Sequence, residues 1–432
     1  MDRPRVDDAR SAARLIADAL VIHSDPHARA TNPYHWYQSQ PLTESIAGLA
    51  CDEDGAPFAP AARRLLEEPA QPERHRRLVD ALTPMVAQFP ERMRELTDLA
   101  RRAAHCGRIG YHLGEAVPTG ARRPLPPDGT VPAPPRAEPP GSAAQIVIPF
   151  RDRSASGHRL RNLLSCLSSL RDQDRVDGGY TVTVVEADES PRWRAEIEAM
   201  ADEYLFARHD GPFNKAWVVN VGVLRSASQA ETVCVFDADL LADRGFVARN
   251  VGRLGEPGAG ALLPYRDMLY LDDASSERAI GARCLDGEPA LDPGVLRGFW
   301  MRRPVGGCVW LRREVFDRIR GMDERYEGWG GEDVDLVLRL QASTALYAAD
   351  DFMVHLHHPV KAPRPDEAAR NDEIPYMTWR PTGAIGEIDR YRAAPAAAPA
   401  HPVGPRLSPA ASFVGDTPEA NGQALTSDAA MV

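Results

Sequence analysis

Three short stretches of this chain gather residue types that do chemistry. Val235-Phe236-Asp237-Ala238-Asp239-Leu240 is an apolar run that ends on two acids one residue apart. Mg²⁺ and Mn²⁺ take oxygen ligands and bridge to phosphate oxygens, so such a pair on a turn can hold a cation against a phosphate. Gly328-Trp329-Gly330-Gly331-Glu332-Asp333 sets a flat apolar ring and a Gly pair before two adjacent acids. The Gly residues permit close backbone approach, and the acids open an apolar run whose helical N-terminus favours negative charge. Asp333 is the candidate base and Glu332 its neighbour. Met353-Val354-His355-Leu356-His357-His358-Pro359 follows, with His355 and His358 three apart. Neutral imidazoles bind divalent metals. Each stretch alone also fits a plainer reading: an exposed acidic turn, acids stabilised at a helix start, structural histidines.

The elements that must position these groups read as alternating strands and helices. Gln145-Ile146-Val147-Ile148-Pro149-Phe150, Tyr180-Thr181-Val182-Thr183-Val184-Val185 and Thr232-Val233-Cys234-Val235-Phe236 are buried strands. Leu160, Leu163, Leu164, Leu167 and Leu170 mark a helix, as do Ile197 and Met200, then Val218, Val221 and Leu224, the last helix with Asn214 as N-cap. Such alternation predicts an α/β fold, a mostly parallel sheet with helices on both faces, whose ligands bind beyond the strands' carboxyl ends. Asp237, Asp239, Arg151, Arg153 and Glu186 all fall at such ends. Two Arg forks there suit a diphosphate, or a solvated basic turn. Glu186 could accept from a base N–H, or simply end a strand. The segment from about 285 to 304, with Gly287, Pro293, Gly294, Gly298 and Trp300, reads as a lid or as an ordinary loop.

Four regions separate by composition. Residues 1–116 read as a small helical region, with Tyr34-His35-Trp36-Tyr37 either closing its core or forming a ligand surface. Residues 117–141 are a Pro-rich linker, expected to be extended. Residues 142–392 hold the α/β domain, and 393–432, rich in Ala, Pro, Ser and Gly, is expected to be a disordered tail. The chain has 432 residues and a formal net charge of −11, without the basic stripe of a nucleic-acid binder. Six Cys lack metal or disulfide spacing and suggest a reducing compartment. No secretory leader and no apolar run of about 20 residues is visible, so a cytoplasmic protein without a transmembrane segment is expected. The near absence of Lys, beside abundant Arg, Ala and Pro, suggests a GC-rich bacterial genome.

From Ile146 to about Pro359 the chain resembles the metal-dependent GT-A glycosyltransferases, in the branch of β-1,4-galactosyltransferases and chondroitin-type polymerases. The resemblance rests on Ile148 to Arg153, Phe213 to Gly222, Asp237-Ala238-Asp239, Gly306-Gly307, Met322 to Asp333, and the spacing of His355 and His358. It implies a nucleotide-diphospho-sugar transferase fold. It also implies a UDP-sugar donor held by Pro149, Arg151, Arg153, Glu186, Asn214, Lys215, Asp237 and Gly307. Mn²⁺ or Mg²⁺ would sit on Asp239, His355 and His358. A glycan or small-molecule acceptor would lie on Trp329 and Glu332, with Asp333 as base of an inverting transfer of a hexose or N-acetylhexosamine. Two departures stand out: Lys215 where Arg is frequent, and His355 where that family has Met. A retaining transferase of the polypeptide N-acetylgalactosaminyltransferase type and a non-catalytic nucleotide-sugar or glycan-binding module are the alternatives; Asp rather than Asn at 333 favours inversion.

Overall fold

The structure is a computed structural model and describes residues 6–52, 56–118, 131–137, 139–328, 330–359 and 371–392. Trp329, the tail 393–432 and much of the Pro-rich linker lie outside the described residues. The chain opens with helices α1 (Val6–Ser24), α2 (Pro26–Thr31), α3 (Pro33–Asp52), α4 (Ala59–Glu67), α5 (Pro72–Gln88) and α6 (Arg94–Cys106). Ala13, Ile16, Ala17 and Leu20 are wholly buried and make α1 the central stave, against Leu78 and Leu82 of α5. Asp25 caps α2, accepting from His27 N at 2.9 Å.

Two sheets follow. The larger has the order β11-β7-β10-β5-β2-β3-β4. Its strands are β2 (Ala144–Phe150), β3 (Tyr180–Glu186), β4 (Glu203–Phe206), β5 (Thr232–Phe236), β7 (Ala261–Leu263), β10 (Cys308–Arg312) and β11 (Leu346–Ala348). β2, β3, β4 and β5 run parallel, whereas β10 is antiparallel to both β5 and β7. A near-continuous apolar run is what a strand covered on both faces needs. Alternate residues of β5 enter opposite cores: Cys234 and Phe236 meet α7 (His158–Arg171) and α10 (Phe246–Gly255), Val233 and Val235 meet α9 (Lys215–Arg225) and α13 (Glu332–Ser343). α9 lies so close that a Cβ on Gly222 would come within 2.3 Å of Val147 Cγ1. The short helices α8 (Arg194–Glu198) and α12 (Arg313–Arg318) complete the layers.

The second sheet was not legible beforehand. Its order is β1-β9-β8-β12-β6, from β1 (Ile109–Leu113), β6 (Leu240–Leu241), β8 (Asp267–Leu271), β9 (Arg297–Arg302) and β12 (Met353–His355), with α11 (Asp273–Ile280) following β8. β1 is the last piece of the N-terminal region, and it pairs antiparallel with β9. Part of the segment read as a lid or an ordinary loop is neither: Arg297–Arg302 is a strand paired on both sides, by β1 and β8. The residues were misread because the run has Gly298, which weakens a strand signal. That Gly is required by close approach, since a Cβ there would meet Tyr270 O at 2.2 Å.

Candidate active site

The two sheets meet at the end of β5, and the register there assembles a cluster. β6 begins directly after Asp239, and β12 pairs with it so that His355 lies opposite Leu240. Leu356 N donates to Asp239 O at 2.7 Å, which closes the corner. His355 Nε2 and His358 Nε2 then lie 3.3 and 3.1 Å from the two Asp239 carboxylate oxygens. Asp239, His355 and His358 are the group among the described residues that offers three ligand atoms within 4.8 Å of one another. Burial works against ionising Asp239, yet the two imidazoles hold its carboxyl well below the usual range. Burial pushes His355 down to about 4, leaving it neutral and able to ligate. Asp239 Oδ1 is closed from solvent and takes no aligned hydrogen bond. Two imidazoles and one carboxylate with an orphaned buried oxygen suit a divalent cation.

The base candidate sits beside this cluster. Gly330 (φ 89°) and Gly331 (φ 99°) turn the chain into α13, so that Glu332 and Asp333 open the helix. A Cβ on Gly331 would lie 2.5 Å from Tyr326 Cε1, so both the conformation and the space require Gly. Lys215, the first residue of α9, reaches between the two acid motifs. Its Nζ is 2.9 Å from Asp237 Oδ1 and 3.0 Å from Asp333 Oδ2. Burial disfavours the ammonium, but Asp237, Asp333 and Glu332 together raise it well above its ordinary value, so it stays charged. Burial raises Asp237 to about 6 against the pull of Lys215. Burial, then the charge of Asp333, raises Glu332 to about 7. Gly306 makes room for the base: a Cβ there would fall 2.3 Å from Asp333 Oδ2. Gly307 (φ 105°) accepts from Asp237 N at 2.8 Å and so ties the Gly pair to the metal-type motif.

Several expected donor contacts are made differently. Arg151 gives its Nη1 to Gly211 O at 2.7 Å and its Nη2 to His209 O at 2.9 Å, and its Nε to Ala187 O. Arg153 binds Asp188 at 2.7 Å and the carbonyls of His209 and Asp210. Their forks therefore hold the 187–188 and 209–211 loops together and are not free for a diphosphate. Glu186 is wholly buried, accepting from Arg192 N, Trp193 N and Tyr204 Oη, which corrects its reading as a base acceptor. Asn214 is also wholly buried. It caps α9 through Trp217 N at 2.8 Å and donates to Glu324 O at 2.8 Å, a positioning role for Lys215 rather than a ligand contact. Pro149 is a buried strand residue opposite Val185. Trp329 lies outside the described residues. Of the third acid, Asp335, both oxygens are used, by Arg339 at 2.6 Å and Met377 N at 2.7 Å.

Sequence reasoning missed the residues that brace the cluster. Tyr270 stacks on His355 at 4.2 Å and 15°. Buried Tyr265 donates to Gly306 O and accepts from Cys308 N. Ser276 accepts from His357 N at 2.7 Å, and Asn162 and Arg161 donate to His357 O at 3.1 Å, so helices α7 and α11 fasten the His turn. None of these carries a local signal, because their partners are far away in the chain.

Residues 297–358 match a family described as the N-terminal domain of galactosyltransferase. The chain carries a GT-A glycosyltransferase domain. The matched part of that domain runs from β9 to the second cluster histidine, and includes Gly306, Glu332 and Asp333. The chain is 28% identical over 251 residues to the O-antigen biosynthesis protein RfbC of Myxococcus xanthus, covering 55% of this chain and 19% of that protein. It is 24% identical over 229 residues to β-1,4-galactosyltransferase 2 of Cricetulus griseus, covering 52% and 47%. Thus the chain spans less than half of each of these relatives. A solved structure of the catalytic domain of Drosophila β1,4-galactosyltransferase 7 with xylobiose aligns with TM-score 0.31 and 20% identity, over 50% of this chain and 71% of that one. Among the described residues, no helix is long and apolar enough to cross a membrane.

Proposed function

We propose that this chain transfers a hexose or N-acetylhexosamine from a UDP-linked donor to a hydroxyl acceptor, with inversion. The observation that carries the reading is Lys215, whose single ammonium spans Asp237 of the metal-type motif and Asp333 of the acid motif. One small volume thus joins a metal-type cluster, a buried positive charge and a carboxylate base.

Asp239, His355 and His358 would hold Mn²⁺ or Mg²⁺, which would neutralise charge on the departing diphosphate. Lys215 supplies a second positive charge for that phosphate. Gly306 and Gly307, having no side chains, leave backbone-lined space beside Asp333 for the donor sugar. Asp333 takes the proton from the acceptor hydroxyl as its oxygen forms a bond to the anomeric carbon. The bond from that carbon to the diphosphate oxygen breaks on the opposite face, and its electron pair leaves with the nucleotide. Glu332, next to the base, accepts from a neighbouring acceptor hydroxyl. The UDP moiety follows from the galactosyltransferase resemblance.

A screen of nucleotide sugars with Mn²⁺, read as nucleotide release, tests the reading without knowledge of the acceptor. Asp333→Asn keeps the shape of the site and removes the base, so transfer is expected to fall by about 10²- to 10⁴-fold with UDP still bound. Transfer at near the wild-type rate sinks the base assignment. The coupling constant of the product's anomeric proton checks inversion.

A further inference from the structure

The acid motif follows a turn that has little shape of its own. Gly328 (φ 88°), Gly330 (φ 89°) and Gly331 (φ 99°) all sit on the left-handed side of backbone space, and glycine leaves that side as readily as it enters it. Glu332 and Asp333 come directly afterwards, so an error in the turn is carried to the base. Bonds from elsewhere must therefore fix it. Gly328 N donates to Phe213 O at 2.8 Å, which ties the front of the turn to the residue before the N-cap of α9.

The back of the turn is held by Asn371, which is 7% exposed. Its side-chain oxygen accepts from Glu327 N at 3.3 Å, and its side-chain amide donates to Gly330 O at 2.8 Å. One planar group thus grips the turn on both sides of position 329. The two ends cannot be exchanged, because a backbone N–H only donates and a carbonyl only accepts. A carboxylate of the same shape could not donate to Gly330 O.

The segment that carries Asn371 is anchored in turn. Ile374 N donates to Asn371 O at 3.1 Å, and Ile374 O accepts from Tyr326 Oη at 3.4 Å. Met377 N donates to Asp335 Oδ1 at 2.7 Å, with Met377 in a left-handed conformation (φ 64°) that a side chain disfavours. Residues 371–377 are therefore fastened before, within and after the turn. The metal-type cluster is braced by other elements, α7, α11 and β8.

We propose that Asn371 is a positioning residue for the transfer: its carboxamide sets the turn from 327 to 331 and, through it, the place of Asp333. It acts on the base and not on the donor phosphate. The catalytic consequence rests on the transfer reading above.

The test uses the full chain with Mn²⁺ and UDP-galactose, UDP-glucose and their N-acetylamino counterparts, read as nucleotide release. Asn371→Asp keeps the shape and removes the donor to Gly330 O. Asn371→Ala removes both bonds and adds no charge. Each is expected to lower kcat by about tenfold or more, since a misplacement of about 1 Å costs on the order of 10²-fold, with the affinity for UDP unchanged. Hydrogen–deuterium exchange is expected to rise in residues 326–335 and not in β5 or β12. The effect should vanish once the base is gone: added to Asp333→Asn, Asn371→Ala costs no further rate, because residues that act as a unit are not additive. An equal loss in both backgrounds would show a merely structural role and overturn the proposal. So would a wild-type kcat in Asn371→Ala, or unchanged exchange in the turn. Should Asn371→Ala not fold, Asn371→Asp carries the same comparisons. If the wild type releases nucleotide from no donor while exchange still rises in the variants, Asn371 keeps its hold on the turn and the transfer reading is what fails.

Discussion

At the residue scale the chemistry turns on carboxylates that differ only in surroundings. Asp239 is held ionised by two imidazoles, whereas half-buried Glu332 is pushed up to about 7 by burial and then by Asp333. A carboxyl raised above its unfolded value stabilises the fold fully below that value, near 4.5, and loses the contribution as pH rises through 7. The protein free of metal and donor is therefore expected to melt at lower temperature at pH 7.5 than at pH 5.5, and Glu332→Gln should flatten that part of the profile. A scanning-fluorimetry series over pH 5 to 8 checks this; an unchanged slope in the variant would remove Glu332 as the cause. Lys215 matters through the same neighbours. Lys215→Met leaves Asp237 and Asp333 facing each other without a counter-charge, at a cost of roughly 1–3 kcal/mol, whereas Lys215→Arg should recover most of it. Urea unfolding of the two variants separates charge from shape.

At the element scale, strand ends and helix starts aim the site. The turn before β10 and the start of α13 are pressed together, and Gly306 is the contact. Gly306→Ala would push Asp333 aside while leaving both elements folded. Misplacing a reacting group by about 1 Å costs on the order of 10²-fold, so a fall in kcat of that size is expected, with far-ultraviolet circular dichroism unchanged. An alanine variant as active as wild type would mean that the base acts from another position. The strands and helices around β2, β3 and β5 were readable because each is a continuous apolar run or a helical repeat. β9 was not, because its run is broken by Gly298 and Arg297 and its stability comes from partners on both sides.

At the scale of the whole molecule, Arg297 bolts the N-terminal helices to the glycosyltransferase domain. It is 3% exposed, and donates to Asp25 of the first region at 2.5 Å, to Asp272 of the second at 2.9 Å, and to Pro69 O at 3.1 Å. Its Nε also donates to Tyr111 Oη. Removing one member of a buried ion network costs about 3–5 kcal/mol because the partners stay buried and charged. Arg297→Leu is expected to lower stability by that order and to make the junction between α6 and β1 open to protease. Denaturant unfolding with limited proteolysis reads both; equal resistance to wild type would show that the apolar contacts suffice.

The amino-acid sequence by itself determined which residues could act and the local elements that carry them. Asp239, Asp333, Glu332, His355 and His358 were legible because each follows an apolar run or opens a helix, a pattern written in adjacent positions. Only the tertiary structure decided which of the named residues are spent on the scaffold. Arg151, Arg153, Glu186 and Asn214 carry the right groups at strand and helix ends, but their partners lie tens of positions away. Whether such a group faces a ligand or a backbone carbonyl depends on strand register and loop packing, which no local pattern encodes. The same physics set Lys215 between Asp237 and Asp333.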